Sequence, residues 1–211
     1  MMNLSIPGEI TQVLCLGAHS DDIEIGCGGT ILRLAEEYPH CLFHWVVFSA
    51  LGVRQEEARS AAKLFWPPAQ PVLSEFPDGF MPFVGGEVKR VFEELKDKLS
   101  PDLILTHNSQ DAHQDHRLVC ELTWNTFRNH MILEYEIPKY DGDMGRPSVF
   151  VPLSKPVVDK KVANLISAFA SQRSKSWFQT ETFLALMRLR GMECNSPSGY
   201  AEAFYCRKMV L

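Results

Sequence analysis

The stretch Gln12-Val13-Leu14-Cys15-Leu16-Gly17-Ala18-His19-Ser20-Asp21-Asp22 decides how this chain begins to fold. Its first half is a short apolar run, typical of a buried β-strand, and its second half carries one histidine and two aspartates. Residues 26–37 then show apolar side chains at helical spacing, so the strand is predicted to lead into a helix. The polar cluster therefore stands at the carboxyl end of a strand, where open α/β sheets bind their ligands.

A second polar cluster, His113-Gln114-Asp115-His116, follows the apolar run Leu103-Ile104-Leu105 and precedes another helical pattern. Strand and helix patterns alternate in this way through residues 12–129, which predicts a mostly parallel, Rossmann-like sheet flanked by helices. We expect residues 1–211 to form a single α/β domain, with the C-terminal third providing walls and a lid. Residues 203–210 are predicted to form an edge strand, which leaves self-association into a homo-oligomer open.

The bulk composition excludes several classes of protein. A chain of 211 residues with 45% hydrophobic and 22% charged residues is ordinary for one soluble globular domain. Its net charge of −5 gives no basic surface for nucleic acid, and no apolar run reaches the roughly 18–20 residues of a transmembrane anchor. Residues 1–10 lack the basic and apolar regions of a signal peptide, so a cytoplasmic location is expected.

The two clusters together contain the residue types of a hydrolytic metal site. Such a site needs about three protein ligands and an open position for a water molecule, whose pKa the metal lowers. Imidazole nitrogen and carboxylate oxygen are good ligands for zinc and for other divalent metals such as Fe²⁺ and Co²⁺. We therefore expect His19, Asp22 and His116 to bind Zn²⁺ or one of these metals.

The remaining polar residues of the clusters are candidates for proton transfer. Asp21 is a carboxylate beside the expected ligand Asp22 and is the candidate general base. His113 is the candidate general acid or oxyanion donor, and Asp115 is the candidate residue that orients it. Either cluster alone is equally explained as a helix N-terminus whose polar residues cap backbone amides. The occurrence of both clusters at strand ends favours the metal site.

At these residues the chain resembles the PIG-L/LmbE-like zinc-dependent N-deacetylases. The family segment (A/H)HPDD(E/A)xxxGGT is matched by Ala18-His19-Ser20-Asp21-Asp22-Ile23-Glu24-Ile25-Gly26-Cys27-Gly28-Gly29-Thr30, and HPDH(R) is matched by His113-Gln114-Asp115-His116-Arg117. Both family prolines are replaced, by Ser20 and Gln114, which predicts altered turn rigidity without loss of a ligand. Further matches lie at the R-x-x-E-A helix that begins at Arg54, at Phe76-Pro77-Asp78-Gly79 and at Tyr200-Ala201-Glu202-Ala203-Phe204.

The resemblance implies a reaction and a division of roles. Six residues match the family's metal-binding and catalytic positions, in the roles already given: His19, Asp21, Asp22, His113, Asp115 and His116. Arg54 and Asp78 are implied as contacts for sugar hydroxyls. The implied reaction removes the N-acetyl group from a small N-acetylglucosamine-type sugar or its conjugate, by metal-activated water with an aspartate as general base.

Two other interpretations remain open from the sequence. The same site can serve an amidase that cleaves a larger sugar–thiol conjugate. Alternatively, the chain can be a non-catalytic module that binds a sugar or a nucleotide, in which Gly26-Cys27-Gly28-Gly29 holds a phosphate. That run lacks the spacing of a dinucleotide fingerprint, and its glycines are also explained by close packing of a helix beneath the first cluster.

Overall fold

The computed structural model describes residues 9–209, in which strands and helices alternate for most of the length. The expectations for residues 1–8 and for Val210 fall outside this described part. The strands are β1 (Gln12–His19), β2 (Leu42–Ser49), β3 (Val72–Leu73), β4 (Leu103–His107), β5 (Met131–Tyr135), β6 (Val149–Pro152) and β7 (Ala201–Tyr205). The helices are α1 (Asp22–Glu37), α2 (Val53–Phe65), α3 (Gly85–Lys98), α4 (Gln114–Thr126), α5 (Lys155–Ala168) and α6 (Thr180–Glu193), with short 3₁₀ helices at Met81–Val84 and Ala170–Gln172.

The strands form one seven-stranded sheet in the order β3-β2-β1-β4-β5-β7-β6. The first five strands of this order run parallel, and β7 pairs antiparallel with both β5 and β6. The predicted single α/β domain with a mostly parallel, Rossmann-like sheet is confirmed. From β1, the strands β2 and β3 are added on one side of the sheet, and β4 and β5 are then added on the other side. The order of the strands therefore reverses between β1 and β4. A crevice that binds ligands is expected at such a point.

Strand β1 is buried on both faces, as expected for the centre of a parallel sheet. Val13 and Cys15 belong to one core, which also contains side chains of α1, α2, α5 and α6. Leu14 and Leu16 belong to a second core on the opposite face, which α3 and α4 cover. Helices thus pack on both faces and leave the carboxyl edge of the sheet free to carry polar side chains.

Helix α1 begins at Asp22, four residues earlier than its apolar periodicity indicated, and its first turn carries two acidic residues. The helix is broken at Cys27, where φ is −141° and ψ is 16°. Beyond the break, the backbone amides of Gly29 and Thr30 donate to the carboxylate of Glu202, each at 2.7 Å. The side chain from β7 therefore caps the second part of α1.

Close packing explains the glycine-rich run in α1. A Cβ atom at Gly26 would lie 2.2 Å from Cδ2 of Tyr135, a distance that no real contact allows. A Cβ atom at Gly29 would lie 2.5 Å from Leu153 and 2.9 Å from Glu202. Glu202 also accepts the backbone amides at the break, where a phosphate would have to bind. The glycine run, which suggested a phosphate-binding loop, is therefore explained by close packing.

The prediction of an edge strand at the C-terminus is wrong. Strand β7 ends at Tyr205 and lies between β5 and β6, with Phe204 opposite Tyr135 and Ala203 opposite Phe150. Apolar alternation alone does not distinguish an edge strand from a paired one, because the pairing depends on distant segments. Strand β6 forms that edge of the sheet, so β7 offers no free edge for self-association.

The C-terminal third contributes a layer and a wall. Helices α5 and α6 pack on one face of the molecule against α1, α2 and β7. The loop between β5 and β6 forms the wall, because Nζ of Lys139 lies 3.0 Å from Asp111 and the amide of Ala112 donates to Asp143 at 2.7 Å. Whether this loop moves as a lid stays a prediction. Among the described residues, no helix has the length and apolar character to cross a membrane.

Candidate metal centre and active site

The two polar clusters of the sequence meet at the junction of β1 and β4. Nδ1 of His19, at the end of β1, lies 3.2 Å from Nε2 of His116, in the first turn of α4. Oδ2 of Asp22, at the start of α1, lies 3.3 Å from the same His19 nitrogen and 3.5 Å from the same His116 nitrogen. All three residues are buried, with 7%, 4% and 3% exposure for His19, Asp22 and His116.

This triangle has the size that a tetrahedral metal requires. Ligand atoms about 2.1 Å from a tetrahedral metal are separated from one another by about 3.4 Å. The three separations of 3.2, 3.3 and 3.5 Å match that value. The donor set of two imidazoles and one carboxylate therefore fits a zinc-like divalent metal, and the ligand assignment remains a proposal for which the geometry provides support.

Hydrogen bonds on the outer side of each imidazole fix which nitrogen faces the centre. Nε2 of His19 lies 3.0 Å from Asp78 and 3.3 Å from Asp115, so in the neutral imidazole the proton lies on this nitrogen and the lone pair on Nδ1. Nδ1 of His116 lies 2.9 Å from Oδ2 of Asp111, which leaves the lone pair on Nε2. Both lone pairs thus point into the triangle, an arrangement typical of metal-binding histidines.

Electrostatics in the cluster are dominated by these carboxylates. Burial opposes a charge on His19, but the surrounding carboxylates outweigh burial and raise the pKa of its imidazole well above the ordinary value. Burial, together with the neighbouring His107, lowers the pKa of His116 to about 4. Burial also opposes ionisation of Asp22, but the three histidines around it hold the pKa of its carboxyl well below the usual range.

Other side chains come close enough to share a metal with members of this triangle. The groups are His19, His113 and His116; His19, Asp78, His113 and Asp115; and Asp22, His107 and His116. His107, fully buried at the end of β4, uses its Nε2 to accept the amide of Ala18 at 2.9 Å. His113 uses its Nδ1 to accept the amide of Asp115 at 3.2 Å. Each of these ring nitrogens has a single lone pair, which already accepts a backbone hydrogen bond. Oδ2 of Asp22 also accepts a backbone amide, from His19 at 2.6 Å, but it has a second lone pair for a metal, so the triangle is the better ligand set.

Asp21, the candidate base, is buried beside the triangle and paired with Arg54. The guanidinium of Arg54 donates to Oδ1 of Asp21 at 2.6 Å and also lies 3.7 Å from Asp78. Burial raises the pKa of the Asp21 carboxyl despite the opposing effect of Arg54. A carboxylate whose pKa lies above its ordinary value is a better proton acceptor near neutral pH. Asp21, Arg54 and Asp78 thus form one connected network of charged side chains, which we call the charge group. The half-exposed Asp78 lies at its outer end.

His113 stands over the centre in a fixed orientation. Its ring centroid lies 4.8 Å from that of His19 and 4.6 Å from that of His116. Since Nδ1 accepts the Asp115 amide, the ring proton lies on Nε2, which is free to donate to a substrate. Burial first, and then the neighbouring His19, lower the pKa of His113.

Asp115 contacts His113 through its backbone amide and not through its carboxylate. Its side chain instead accepts the amides of Gly79, at 2.7 Å, and Met81, at 3.2 Å, and lies beside His19. The reason is positional: His113 is the N-cap of α4, and an N-cap side chain faces the amide two residues further along the helix. The carboxylate is thereby released to hold the loop after β3.

Two residues at this site were missed by the sequence reasoning. Asp111 hydrogen-bonds the imidazole of His116, and His107 stacks on that ring with centroids 3.9 Å apart. The sequence predicts no more for His107 than a place at the border of the pocket, because it follows a strand just ahead of the second cluster. A signal for Asp111 was present, since a carboxylate two residues before His113, in the same loop, has the position of a partner for a ligand histidine.

Sequence comparison with known proteins identifies a family for this chain. Residues 14–127 match the family model described as PIG-L: GlcNAc-PI de-N-acetylase. The chain belongs to the PIG-L family. A curated relative, the "Uncharacterized deacetylase YaiS" of Escherichia coli (strain K12), is 29% identical over 146 residues, which are 64% of this chain and 78% of YaiS. The expected resemblance to a hydrolase family of deacetylases is confirmed.

Solved structures that share this fold have more than one activity. The N,N'-diacetylchitobiose deacetylase of Pyrococcus horikoshii superimposes with a TM-score of 0.72 at 17% identity, covering 93% of this chain and 84% of that one. GalB of Pseudomonas putida KT2440, a 4-carboxy-2-hydroxymuconate hydratase, superimposes with a TM-score of 0.74 at 20% identity, covering 96% of this chain and 98% of that one. These likenesses concern the fold, so the function must be argued from the site.

Proposed function

We propose that this protein is a metal-dependent N-deacetylase that acts on an N-acetylglucosamine-type amino sugar or its conjugate. The observation that carries the proposal is the buried triangle of His19, Asp22 and His116, whose ligand atoms are 3.2–3.5 Å apart. A candidate base and a candidate acid, Asp21 and His113, border the same triangle. Membership of the PIG-L family supports the reaction class.

Zn²⁺ is the proposed metal, and Fe²⁺ or Co²⁺ would suit the same ligands. When bound, such a metal polarises a carbonyl group and lowers the pKa of a water molecule. Asp111 holds His116, and Asp115 together with Asp78 holds His19, so each imidazole presents a lone pair in a fixed direction. This preorganisation favours binding of the metal by the folded chain.

Asp21 is proposed to accept the proton of the attacking water. Its raised pKa suits this task, and the 2.6 Å contact with Arg54 fixes the carboxylate in the site. As the water oxygen forms a bond to the acetyl carbon, negative charge develops on the carbonyl oxygen. Donors aimed at that oxygen stabilise the transition state more than the ground state.

His113 is proposed to supply one such donor, because its Nε2 carries the ring proton. The carbon–nitrogen bond of the amide then breaks, and the amine nitrogen receives a proton from His113 or from protonated Asp21. Acetate and a free amino sugar are the products. Arg54 and Asp78 are proposed to contact sugar hydroxyls, since the half-exposed Asp78 lies at the outer end of the charge group.

The decisive experiment measures acetate release from a panel of N-acetylglucosamine derivatives, with the metal content determined on the same protein sample. We expect release that a chelator abolishes and Zn²⁺ restores. Bound metal with release only from longer acyl or thiol conjugates would instead support the amidase alternative. Binding of a sugar or sugar nucleotide without turnover by the metal-loaded protein would favour a binding module, and protein without metal or activity would contradict the proposal.

A further inference from the structure

Exposed aromatic side chains are confined to one edge of the sheet. Within residues 9–209, the Phe, Tyr and Trp side chains that are largely exposed are Phe80, Phe83 and Tyr140, at 60%, 76% and 69%. They follow β3 and β5, whose carboxyl ends lie at the edge that carries the candidate active site. Exposed aromatic groups that cluster beside a site indicate a surface that binds something apolar.

The backbone around Phe80 is held by the active site itself. Gly79 and Met81, on either side of Phe80, both donate their amides to the carboxylate of Asp115. Oδ2 of that carboxylate lies 3.3 Å from Nε2 of His19. Asp115 therefore connects the backbone on both sides of Phe80 to His19 of the candidate metal triangle.

A residue that departs from the family pattern adds a further restraint. The side-chain amide of Gln114, which stands where the family has proline, donates to the carbonyl oxygen of Gly79. The Phe80 and Phe83 rings lie next to each other, with centroids 6.0 Å apart and planes inclined by 48°. We call this pair the aromatic ledge. Its backbone is fixed by hydrogen bonds while both rings remain in solvent.

A second apolar group flanks the polar centre of the site. Leu51 and Val53, exposed by 46% and 64%, stand on either side of Gly52 just before Arg54. Arg54 contacts Asp21 and Asp78, so this apolar group directly precedes the residue that pairs with the candidate base. The mouth of the site thus combines charged groups for a sugar with an apolar border.

We propose that the aromatic ledge binds an apolar aglycone, such as an aryl or alkyl group, attached to the amino sugar. This inference rests on the proposed function and names the class of conjugate that the site prefers. The occupant follows from continuity, because the ledge and the candidate metal centre share Asp115. An anionic lipid surface is a poorer occupant, since the chain carries a net charge of −5 and Asp78 lies beside Phe80.

The test compares kcat/KM for acetate release from methyl, phenyl and octyl N-acetylglucosaminides with zinc-loaded protein. We expect the phenyl and octyl compounds to exceed the methyl compound by about tenfold, the lower end of what a small apolar group gains in an enzyme site. The combined Phe80→Ala and Phe83→Ala variant should bring this ratio close to one. Leu42→Ala is the matched control, because Leu42 is 51% exposed but lies at the amino end of β2; it should keep the ratio.

Calorimetric binding of the same compounds to the metal-free protein separates the two proposals. If no sugar releases acetate, but the phenyl compound binds more tightly than the methyl compound and the double variant abolishes the difference, the ledge is supported and the deacetylase function is not. Acetate release with equal kcat/KM for all three compounds would overturn the ledge and retain the function. A dimer that the double variant dissociates, without any aglycone preference, would also overturn the proposal by identifying a second copy as the occupant.

Discussion

Two groups of buried carboxylates in this molecule are stabilised in opposite ways. In the C-terminal third, Glu202 pairs with Lys161 at 2.6 Å, and Glu136 pairs with Arg190 at 2.6 Å. At the carboxyl edge of β1, Asp22 is equally buried, but its oxygen faces only imidazoles and a backbone amide among the described residues. Burial alone therefore does not distinguish a structural carboxylate from a functional one.

The two groups differ in the partners that compensate for burial of the carboxylate. Buried charges are tolerated when a fixed partner and hydrogen bonds compensate for their lost hydration. Glu202 has this compensation within the chain, since it accepts two backbone amides, the hydroxyl of Thr30 and the ammonium of Lys161. Asp22 instead faces imidazoles, which have no permanent charge and whose neutral forms have lone pairs that can bind a metal cation. The first group is compensated within the chain, whereas the second has the arrangement that we propose to hold a metal.

The largest effect is expected at Asp21, which is ion-paired like the carboxylates of the C-terminal third but is the proposed general base. Asp21→Asn keeps the size of the side chain and removes the proton acceptor, so kcat should fall by about 10³-fold, as for loss of a general base. Steady-state acetate release by zinc-loaded protein measures this. Metal content should stay unchanged, because Asp21 lies outside the ligand triangle. A variant with a near-native rate would show that another group accepts the proton.

The corresponding experiment on the structural ion pair removes the cation that compensates for Glu202. Lys161→Met leaves Glu202 buried without its ammonium, so the free energy of unfolding should fall by about 3–5 kcal/mol. Urea denaturation of the metal-free protein measures the loss. The matched control is Lys155→Met on the same helix: Lys155 pairs with Asp159, but both side chains are more than half exposed, so the change should stay within about 0.5 kcal/mol. Equal effects of the two substitutions would remove the distinction between these ion pairs.

The parts of the structure that the sequence predicted are those set by local pattern. The apolar run before His19 and that before His113 each indicated a strand followed by a helix, and these two junctions carry the candidate site. The position of β7 between β5 and β6 could not be predicted, because it depends on pairing with strands far away in the chain. Glu202 was noticed only as part of a motif for the same reason: its partners are the amides at the break in α1.

Prediction of the site had the same limit. Residue types and spacing indicated His19, Asp22 and His116 as ligands, but not the side chains that hold them. Asp115 was expected to support its neighbour His113, whereas its carboxylate contacts His19 and the loop after β3. Contacts of this kind join segments from different strands. Only the folded sheet brings these segments together.

A smaller effect is expected from a residue that holds a ligand without binding the metal. Asp111→Asn weakens the hydrogen bond that directs Nε2 of His116 into the triangle, so affinity for Zn²⁺ should fall by about 10- to 100-fold. Competition with a chromogenic chelator measures the dissociation constant. Asp143→Asn is the matched control, because Asp143 also contacts Lys139 but has no contact with a histidine. Comparable losses in both variants would assign the effect to the loop and not to His116.

The smallest effect concerns the charge of His19 in the metal-free protein. Burial opposes a charge on His19, but the carboxylates around it raise the pKa of its imidazole well above the ordinary value, so we expect the metal-free protein to keep the imidazolium form to a higher pH than a free histidine does. Zn²⁺ requires the neutral form and must displace that proton, which makes metal affinity rise about tenfold per pH unit below that pKa. Titration calorimetry between pH 6 and 7.5, in two buffers of different ionisation enthalpy, should detect close to one proton released.

The Asp78→Asn variant tests the cause of the raised pKa, because it removes a carboxylate 3.0 Å from Nε2 of His19. It should reduce both the number of protons released and the dependence of metal affinity on pH. Binding without proton release would mean that His19 is already neutral, and the contrast with the ion-paired carboxylates of the C-terminal third would then rest on geometry alone.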